Sequence, residues 1–253
     1  MSNRKLNQFI DKGYCIIDLY NKNEHRYLSN KIVKKINQNI LAKSKKISEK
    51  NLKFYHVNQD KEVHDKVIKN TQRYISLDKK LIRPIIFNKV IQKISKYHWG
   101  HTKFSIKWVG SLKKPMKLNT TGFRVARPEK LSSKDVGGEH LDLHYGGKKN
   151  TNQKKLFTLW CPIVGMSKDY TLRISPGSHK FKHPLSSISR QKKYISMVLN
   201  KNYVKRFKFV RPHLKIGQVI FFHPNLIHGS SKNLGSNTRV SIDLRIFNKK
   251  YTK

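Results

Sequence analysis

The stretch from Arg239 to Phe247 places the strongest limit on how this chain can fold. Four polar residues alternate there with four apolar ones, in the order Arg239, Val240, Ser241, Ile242, Asp243, Leu244, Arg245 and Ile246. Because successive side chains of a β-strand point to opposite faces of a sheet, this period of two predicts a strand with one apolar and one polar face. We expect the apolar face to pack beneath N-terminal helices and the polar face to line a ligand-holding interior.

The same short-strand pattern recurs from about residue 103 onward, between turns rich in Gly, Pro, Ser and Asn. The predicted strands are Phe104–Val109, Gly122–Ala126, Leu156–Val164, Tyr170–Ile174, Phe207–Val210, Gln218–Phe222 and Arg239–Phe247. Several short strands behind a helical cap are typical of a β-sandwich or barrel. The sequence therefore predicts a mainly β fold with a helical N-terminal cap.

The first hundred residues have the pattern of a mostly helical preface. Apolar residues recur at three- and four-residue spacing, at Leu28, Ile32, Val33, Ile36 and Ile40. This spacing predicts one face of an amphipathic helix. We predict a short strand before it, at Tyr14–Leu19, and a second helical stretch from about His64 to Tyr97, in which Pro84 starts a new helix after a break.

No linker or internal repeat divides the chain, so we expect one domain over residues 1–253, with the helical preface at 1–100 and the β core at 103–247. Cys15 and Cys161 lie in apolar strand-like runs and are expected to be small buried side chains rather than a disulfide pair. The sequence contains no run of about 18 apolar residues, and its start lacks the apolar core of a secretory signal. We expect no membrane span and a cytoplasmic location.

The formal net charge of +41, from 55 Lys and Arg against 14 Asp and Glu, has two interpretations. A strongly basic chain can be a nucleic-acid binder. The other interpretation is coding bias, since Lys, Asn and Ile have A/T-rich codons and the basic residues are spread along the chain without a basic arm. We favour coding bias, with a mild attraction for anionic small-molecule substrates through field focusing.

The chemistry of the chain is indicated by His140-Leu141-Asp142, its one His-x-Asp sequence, together with the distant His228. Two imidazoles and one carboxylate can bind one face of an iron(II) ion and leave its opposite positions open. Arg239 offers a bidentate fork for the far carboxylate of 2-oxoglutarate. Taken singly, these residues are equally explained as a solvated turn, a core histidine and a surface cation; together they predict an iron(II)/2-oxoglutarate dioxygenase.

Other polar residues compete for places in this site. They are His144, two residues past Asp142; His223, expected to shape a turn; His179 and His183, beside a Pro-Gly-Ser loop; Arg124 and Arg127, on a predicted strand; and Arg245, the alternative co-substrate arginine. A strand period of two puts His144 on the same face as His140 and Asp142. For Arg124 and Arg127 the choice is between an anionic substrate group and a surface position.

Three segments resemble the phytanoyl-CoA dioxygenase superfamily. They are Leu159-Trp160-Cys-Pro-Ile163, Leu172-Arg-Ile-Ser-Pro176-Gly-Ser-His-Lys180, and His223-Pro-x-Leu-x-His228-x-Ser-x-x-Asn233 with Arg239-x-Ser241. The resemblance covers about residues 104–247. Ser167-Lys-Asp-Tyr170 departs from it, since an Asn-Gly pair usually stands there, and this puts the local loop in question.

The resemblance implies a double-stranded β-helix (jelly-roll) core that uses iron(II), 2-oxoglutarate and O₂. It implies His140, Asp142 and His228 as iron ligands, Arg239 with Ser230 beside it as the co-substrate site, and Trp160 and Ser241 lining the same pocket. A finer likeness, to oxygenases of bacterial carbohydrate gene clusters, suggests a small sugar-derived substrate. The alternatives are a nucleic-acid-directed oxygenase of this class and a non-catalytic jelly-roll binding protein.

Overall fold

The computed structural model describes residues 2–40, 45–68, 74–108, 117–131, 135–142, 156–184, 197–229 and 232–251. The helices in these residues are α1 (Ser2–Lys12), α2 (Lys22–Asn39), α3 (Tyr55–Asn58), α4 (Lys61–Val67), α5 (Lys79–Phe87), α6 (Lys89–Trp99) and α7 (Lys201–Val204). The strands are β1 (Tyr14–Asp18), β2 (Tyr74–Ser76), β3 (Phe104–Trp108), β4 (Lys117–Leu118), β5 (Thr120–Ala126), β6 (Glu139–Leu141), β7 (Leu156–Val164), β8 (Arg173–Ile174), β9 (Met197–Val198), β10 (Gln218–Phe222), β11 (His228–Gly229) and β12 (Arg239–Asn248).

Helix α2 forms where the apolar spacing predicted it. Asn21 caps its start: its side chain accepts from the backbone N–H of Glu24, and the Glu24 carboxylate accepts from the backbone N–H of Asn21, both at 2.9 Å. This reciprocal box satisfies two backbone donors that a helix start otherwise leaves open. The buried face includes Leu28, Ile32 and Ile36, none of them exposed to solvent.

The prediction of one helical stretch from His64 to Tyr97 is wrong in two places. Strand β2 lies between α4 and α5, and Pro84 lies inside α5 rather than starting a helix. The Asp78 side chain caps α5 upstream of the proline by accepting from the N–H of Leu81. An interior proline removes one backbone hydrogen bond, and here the helix continues past it. The break comes at Asn88, which caps α6.

Two antiparallel sheets form the β part of the described chain. The eight-stranded sheet has the order β1-β10-β7-β12-β3-β4; β5 also pairs with β12, and β2 pairs with β5. The four-stranded sheet has the order β8-β11-β6-β9. Strand β12 is central because it pairs with β7 along one edge and with β5 and then β3 along the other.

Strand prediction succeeded for the long strands and failed for the short ones. The bounds of β7 and β10 are those predicted, but the predicted Tyr170–Ile174 strand shrinks to β8, and Phe207–Val210 contributes only an isolated bridge from Val210 to Ile174. The two- and three-residue strands β2, β4, β6, β9 and β11 were not predicted. A period of two needs about four residues to be recognised, so strands this short carry no sequence signal of their own.

The N-terminal hundred residues are not separate from the sheets. Strand β1 pairs with β10 over five residues, from Tyr14 opposite Phe222 to Asp18 opposite Gln218. The apolar side chains of β12, namely Val240, Ile242, Leu244 and Ile246, share one core with the buried face of α2. This confirms that the apolar face of β12 packs beneath N-terminal helices, and burying each such side chain contributes about 1.5–3 kcal/mol.

Both cysteines are buried and unpaired, as predicted. Of the helices in the described part of the chain, none has the length and apolar character needed to cross a membrane.

Candidate metal and co-substrate site

Two short strands bring together the histidines that lie far apart in sequence. His140 on β6 and His228 on β11 are register partners, and their ring centroids lie 4.3 Å apart. Asp142 directly follows β6, where its backbone N–H donates to the carbonyl of Pro224 at 2.9 Å. The ligand set predicted from sequence therefore meets in one place, because the pairing of β6 with β11 puts both imidazoles at the same position along the sheet.

The three side chains present one donor atom each to a common space. Oδ1 of Asp142 lies 3.8 Å from Nε2 of His140 and 3.7 Å from Nε2 of His228. These separations are too long for good hydrogen bonds, and the three ligand atoms lie within 4.8 Å of one another. Two imidazole nitrogens and one carboxylate oxygen are the donor set of facial iron(II) sites.

Backbone carbonyls select the tautomer of both histidines. Nδ1 of His140 lies 2.9 Å from the carbonyl oxygen of Gly138, and Nδ1 of His228 lies 2.9 Å from that of Leu226. A carbonyl oxygen only accepts, so Nδ1 must carry the proton and donate. The lone pair is then on Nε2, which faces Asp142; this is how metal-binding histidines are commonly oriented.

The protonation states in the site are those that a metal ion needs. Burial lowers the pKa of His140 to about 3, helped by the nearby His228, and burial also lowers the pKa of His228. For Asp142, burial alone would raise the pKa, but Arg245, His228 and His140 together outweigh it and lower the pKa. At neutral pH the site therefore holds two neutral imidazoles and a carboxylate.

Thr158 and Arg245 hold the Asp142 carboxylate in place. The Thr158 hydroxyl donates to Oδ2 at 2.6 Å, and Nη2 of Arg245 lies 3.1 Å from Oδ2 and 3.3 Å from Oδ1. Sequence reasoning missed Thr158 and considered Arg245 only as an alternative co-substrate arginine. The register could have found both, since Thr158 is the β7 partner of Arg245 on β12.

Arg239 lies in the wall of the same cavity. Its guanidinium is 4% exposed and donates to the backbone carbonyl of Tyr170 at 2.8 Å. Burial, followed by repulsion from Arg124 and Arg211, lowers its pKa to about 9. The main cause of this lowering is the removal of the guanidinium from water, and the two neighbouring arginines add to it.

Two further residues predicted for the co-substrate pocket are buried beside these groups. Trp160 lines the cavity and is 3% exposed. Ser241 is fully buried, and within the described residues its hydroxyl has no hydrogen-bond partner. A buried hydroxyl without a partner costs free energy, which a ligand oxygen could recover. Ser230 and His144, the other predicted neighbours of the site, lie outside the described residues.

The competing polar residues divide between the cavity and other contacts. Arg124 lines the cavity, and its Nε lies 3.3 Å from Oδ1 of Asp243. Arg127 instead pairs with Asp135, its Nε lying 3.1 Å from Oδ2. His223 shapes a turn by accepting from the backbone N–H of Asn225 at 3.1 Å.

The loop histidines make contacts elsewhere. His179 donates to the carbonyl of Ile10 at 3.1 Å, and His183 lies 2.9 Å from the hydroxyl of Tyr203. Neither is among the described residues that line the cavity. Both are partly buried, and the contacts described for them link segments of the fold.

Comparison with known proteins agrees with this geometry. The family model described as phytanoyl-CoA dioxygenase (PhyH) matches residues 9–241. No protein of curated function matches the sequence. Among solved structures, the chain is similar to the alpha-ketoglutarate-dependent carbocyclase SnoK from nogalamycin biosynthesis, with a TM-score of 0.57 and 12% identity over 98% of this chain and 84% of that one.

A second similar structure is EctD from S. alaskensis with bound Fe, with a TM-score of 0.57 and 16% identity over 98% of this chain and 76% of that one. The epimerase SnoN, solved with Fe³⁺ and alpha ketoglutarate, gives a TM-score of 0.57 at 13% identity over 98% of this chain and 83% of that one. These likenesses confirm the predicted jelly-roll fold. The chain belongs to the phytanoyl-CoA dioxygenase family, so the predicted class of iron(II)- and 2-oxoglutarate-dependent oxygenases is confirmed with it.

Proposed function

We propose that His140, Asp142 and His228 bind iron(II), that Arg239 binds the distal carboxylate of 2-oxoglutarate, and that the enzyme hydroxylates a small organic substrate. The observation that carries the proposal is the convergence of two Nε2 atoms and one carboxylate oxygen, with both Nδ1 atoms engaged by backbone carbonyls. Within the part of the chain that the structure describes, these three residues are the group of histidines and carboxylates that could hold a metal ion, and they supply the donor types of a facial site.

Iron bound here would supply O₂ activation coupled to oxidative decarboxylation of 2-oxoglutarate to succinate and CO₂. The chain's own residues bind and orient. Asp142 offers Oδ1 to the metal because Thr158 and Arg245 occupy Oδ2. Trp160 and Phe222, both nearly inaccessible to solvent, form apolar cavity wall and exclude water from the reacting groups.

The co-substrate proposal follows from the chemistry of Arg239. A planar guanidinium matches a carboxylate with two parallel hydrogen bonds. Arg239 is buried in the cavity wall, where Arg124 and Arg211 add positive charge, and both features support an anionic partner. Ser241 follows two residues later on the same face of β12, and its buried hydroxyl can donate to the same carboxylate. The two residues together form a site for the distal end of 2-oxoglutarate.

The substrate proposal is a small molecule with an anionic group. Three arginines line the cavity: Arg124, Arg239 and Arg245. Arg239 is assigned to the co-substrate, and Arg245 lies between Asp142 and Asp243. Arg124, whose side chain is 42% exposed, is the most exposed of the three, and Asp243, which it contacts, also contacts Arg245. A sugar-derived metabolite with a carboxylate or phosphate fits both this charge and the sequence resemblance.

Succinate release by the full chain tests the proposal. Release should require both iron(II) and 2-oxoglutarate, and His140→Ala should abolish it, while His213→Ala, a change at an exposed histidine, should leave it unchanged. Equal release by the His140→Ala protein would contradict the ligand set. Small metabolites, supplied as anionic and neutral pairs, would then be screened for a mass gain of one oxygen atom; a preference for neutral members would contradict the role of Arg124.

A further inference from the structure

A buried guanidinium joins two buried carboxylates beside the metal site. Arg245 is 2% exposed, Asp142 is fully buried and Asp243 is 6% exposed. Nη2 of Arg245 donates to Asp142, at 3.1 Å from Oδ2, and Nη1 donates to Oδ2 of Asp243. Charges removed from water are costly unless they are paired, so the three groups depend on one another for stability.

The Asp142 carboxylate is held asymmetrically. Oδ2 accepts from both the Thr158 hydroxyl and Arg245, whereas Oδ1 faces the two Nε2 atoms of His140 and His228 and has Arg245 only at 3.3 Å. Rotation of the carboxylate would break the contacts at Oδ2. The guanidinium and the hydroxyl therefore keep Oδ1 turned toward the space between the imidazoles.

The chain balances the charge of this cluster without a metal ion. Arg124 donates to Oδ1 of Asp243 at 3.3 Å, so the charges alternate in the order Arg124, Asp243, Arg245, Asp142. In this series of described residues, the two positive charges of the guanidinium groups equal the two negative charges of the carboxylates. A divalent ion bound at Asp142 would therefore enter a site whose carboxylate already has a buried cation beside it.

We propose that Arg245 is a positioning residue that substitutes for the metal's charge in the metal-free protein. It keeps the metal-free site folded and Asp142 oriented, and in return it weakens the binding of divalent metal, because like charges repel across one carboxylate. The inference rests on the proposed metal site and concerns how that site is stabilised before the metal binds.

Thermal unfolding of the full chain with and without Mn²⁺ tests the inference in the wild type and in Arg245→Met. The metal-free variant should have the lower Tm, because Asp142 loses its counter-ion. Mn²⁺ should raise the Tm of the variant by clearly more than it raises that of the wild type, and titration should give the variant at least tenfold tighter Mn²⁺ binding. If Mn²⁺ raised the Tm of the variant and of the wild type equally, Arg245 would have a purely structural role. If it raised the Tm of the variant less, Arg245 would assist metal binding. Either result would overturn the inference.

A matched control is Arg127→Met, which breaks another buried arginine–aspartate pair, with side chains 12% and 2% exposed. It should lower the Tm but leave the Mn²⁺-induced rise at the wild-type value. Arg245→Lys retains the positive charge and should lie near the wild type in both measurements. A rise in Arg127→Met as large as in Arg245→Met would mean that general destabilisation explains the effect.

Two further variants cover the remaining outcomes. If Arg245→Met does not fold without metal, the triple variant Asp142→Asn, Asp243→Asn, Arg245→Met removes the charges of all three joined groups and should recover folding; failure to recover would overturn the inference. His228→Ala separates it from the proposed function. If Mn²⁺ raised the Tm of His228→Ala as much as that of the wild type, the proposed metal site would be refuted. The coupling of Arg245 with Asp142 would still be measured, by the Tm values of the metal-free variants alone.

Discussion

Gly229 lies so close to His140 that a methyl group on its Cα would come within 2.6 Å of Nδ1 of the imidazole. Its backbone also has a φ of 113°, which residues with a side chain rarely adopt. Position 229, next to the proposed ligand His228, therefore has to be glycine if His140 is to keep its hydrogen bond to the carbonyl of Gly138. Strand β11 can pair with β6 at the site only with this residue.

Gly229→Ala is expected to destabilise the protein and to weaken Mn²⁺ binding, because the His140 ring must move away from Gly138. The strain of a backbone conformation this rare for residues with a side chain costs about 1–3 kcal/mol, and the collision with the ring adds to it. Thermal unfolding with and without Mn²⁺ measures both effects. Gly100→Ala, at φ 76° with no atom within 4 Å of the added carbon, has the strain without the collision and should leave the response to Mn²⁺ intact.

Arg239→Met is expected to weaken 2-oxoglutarate binding to the Mn²⁺-loaded protein by about 2–5 kcal/mol, the cost of truncating a buried, hydrogen-bonded charge pair. Binding of Mn²⁺ itself should change little, since Arg239 contacts none of the three proposed ligands in the described hydrogen bonds. Isothermal titration with 2-oxoglutarate measures the loss. Unchanged affinity would refute the co-substrate role, and Arg26→Met, a change at an exposed arginine that pairs with Glu49, should bind 2-oxoglutarate normally.

Thr158→Val is expected to lower the free energy of unfolding by about 1.5–3 kcal/mol, because it removes a hydrogen bond to the buried, charged Asp142. Thr171→Val makes the same change where the hydroxyl donates to the neutral carbonyl of Pro212, also at 2.6 Å, and should cost about 0.5–1.5 kcal/mol. Urea unfolding of the two metal-free variants compares them directly. Equal losses would mean that Asp142 is not charged in the folded state.

His223 is expected to contribute to acid denaturation. Burial, followed by repulsion from His179 and His98, lowers its pKa to about 3, while the unfolded chain keeps a value near 6.5. Between these values the unfolded state binds more protons, so this contribution to stability is present above about pH 6.5 and is lost as the pH falls toward 3, by up to about 1.4 kcal/mol per pH unit. His223→Asn retains an acceptor for the N–H of Asn225, and urea titrations between pH 7 and pH 5 should show a shallower loss than in the wild type.

The long elements could be predicted from the sequence because each repeats its pattern several times. The bounds of β7, β10 and β12 differ little from the prediction, and helix α2 contains four of the five residues whose apolar spacing predicted a helix. The site residues His140, Asp142, His228 and Arg239 could be proposed from residue type and order, although the strands β6 and β11 that bring the histidines together are too short to have a period of their own. Their strand partners β8 and β9 are equally short, so tertiary contacts hold these strands in place, such as the hydrogen bond from the N–H of Asp142 to the carbonyl of Pro224.

Residue identity and alternation along β12 decided which face is buried under α2 and which residues are available to the cavity, because side-chain direction in a strand follows from backbone geometry alone. Only the tertiary structure decided how the polar face is used: Arg245 stands opposite Thr158 and reaches Asp142, whereas Arg239, six residues earlier on the same face, does not. Which residue each charged side chain pairs with depends on the register between strands that are distant in sequence. Because these charges are buried, breaking one of the pairs costs free energy.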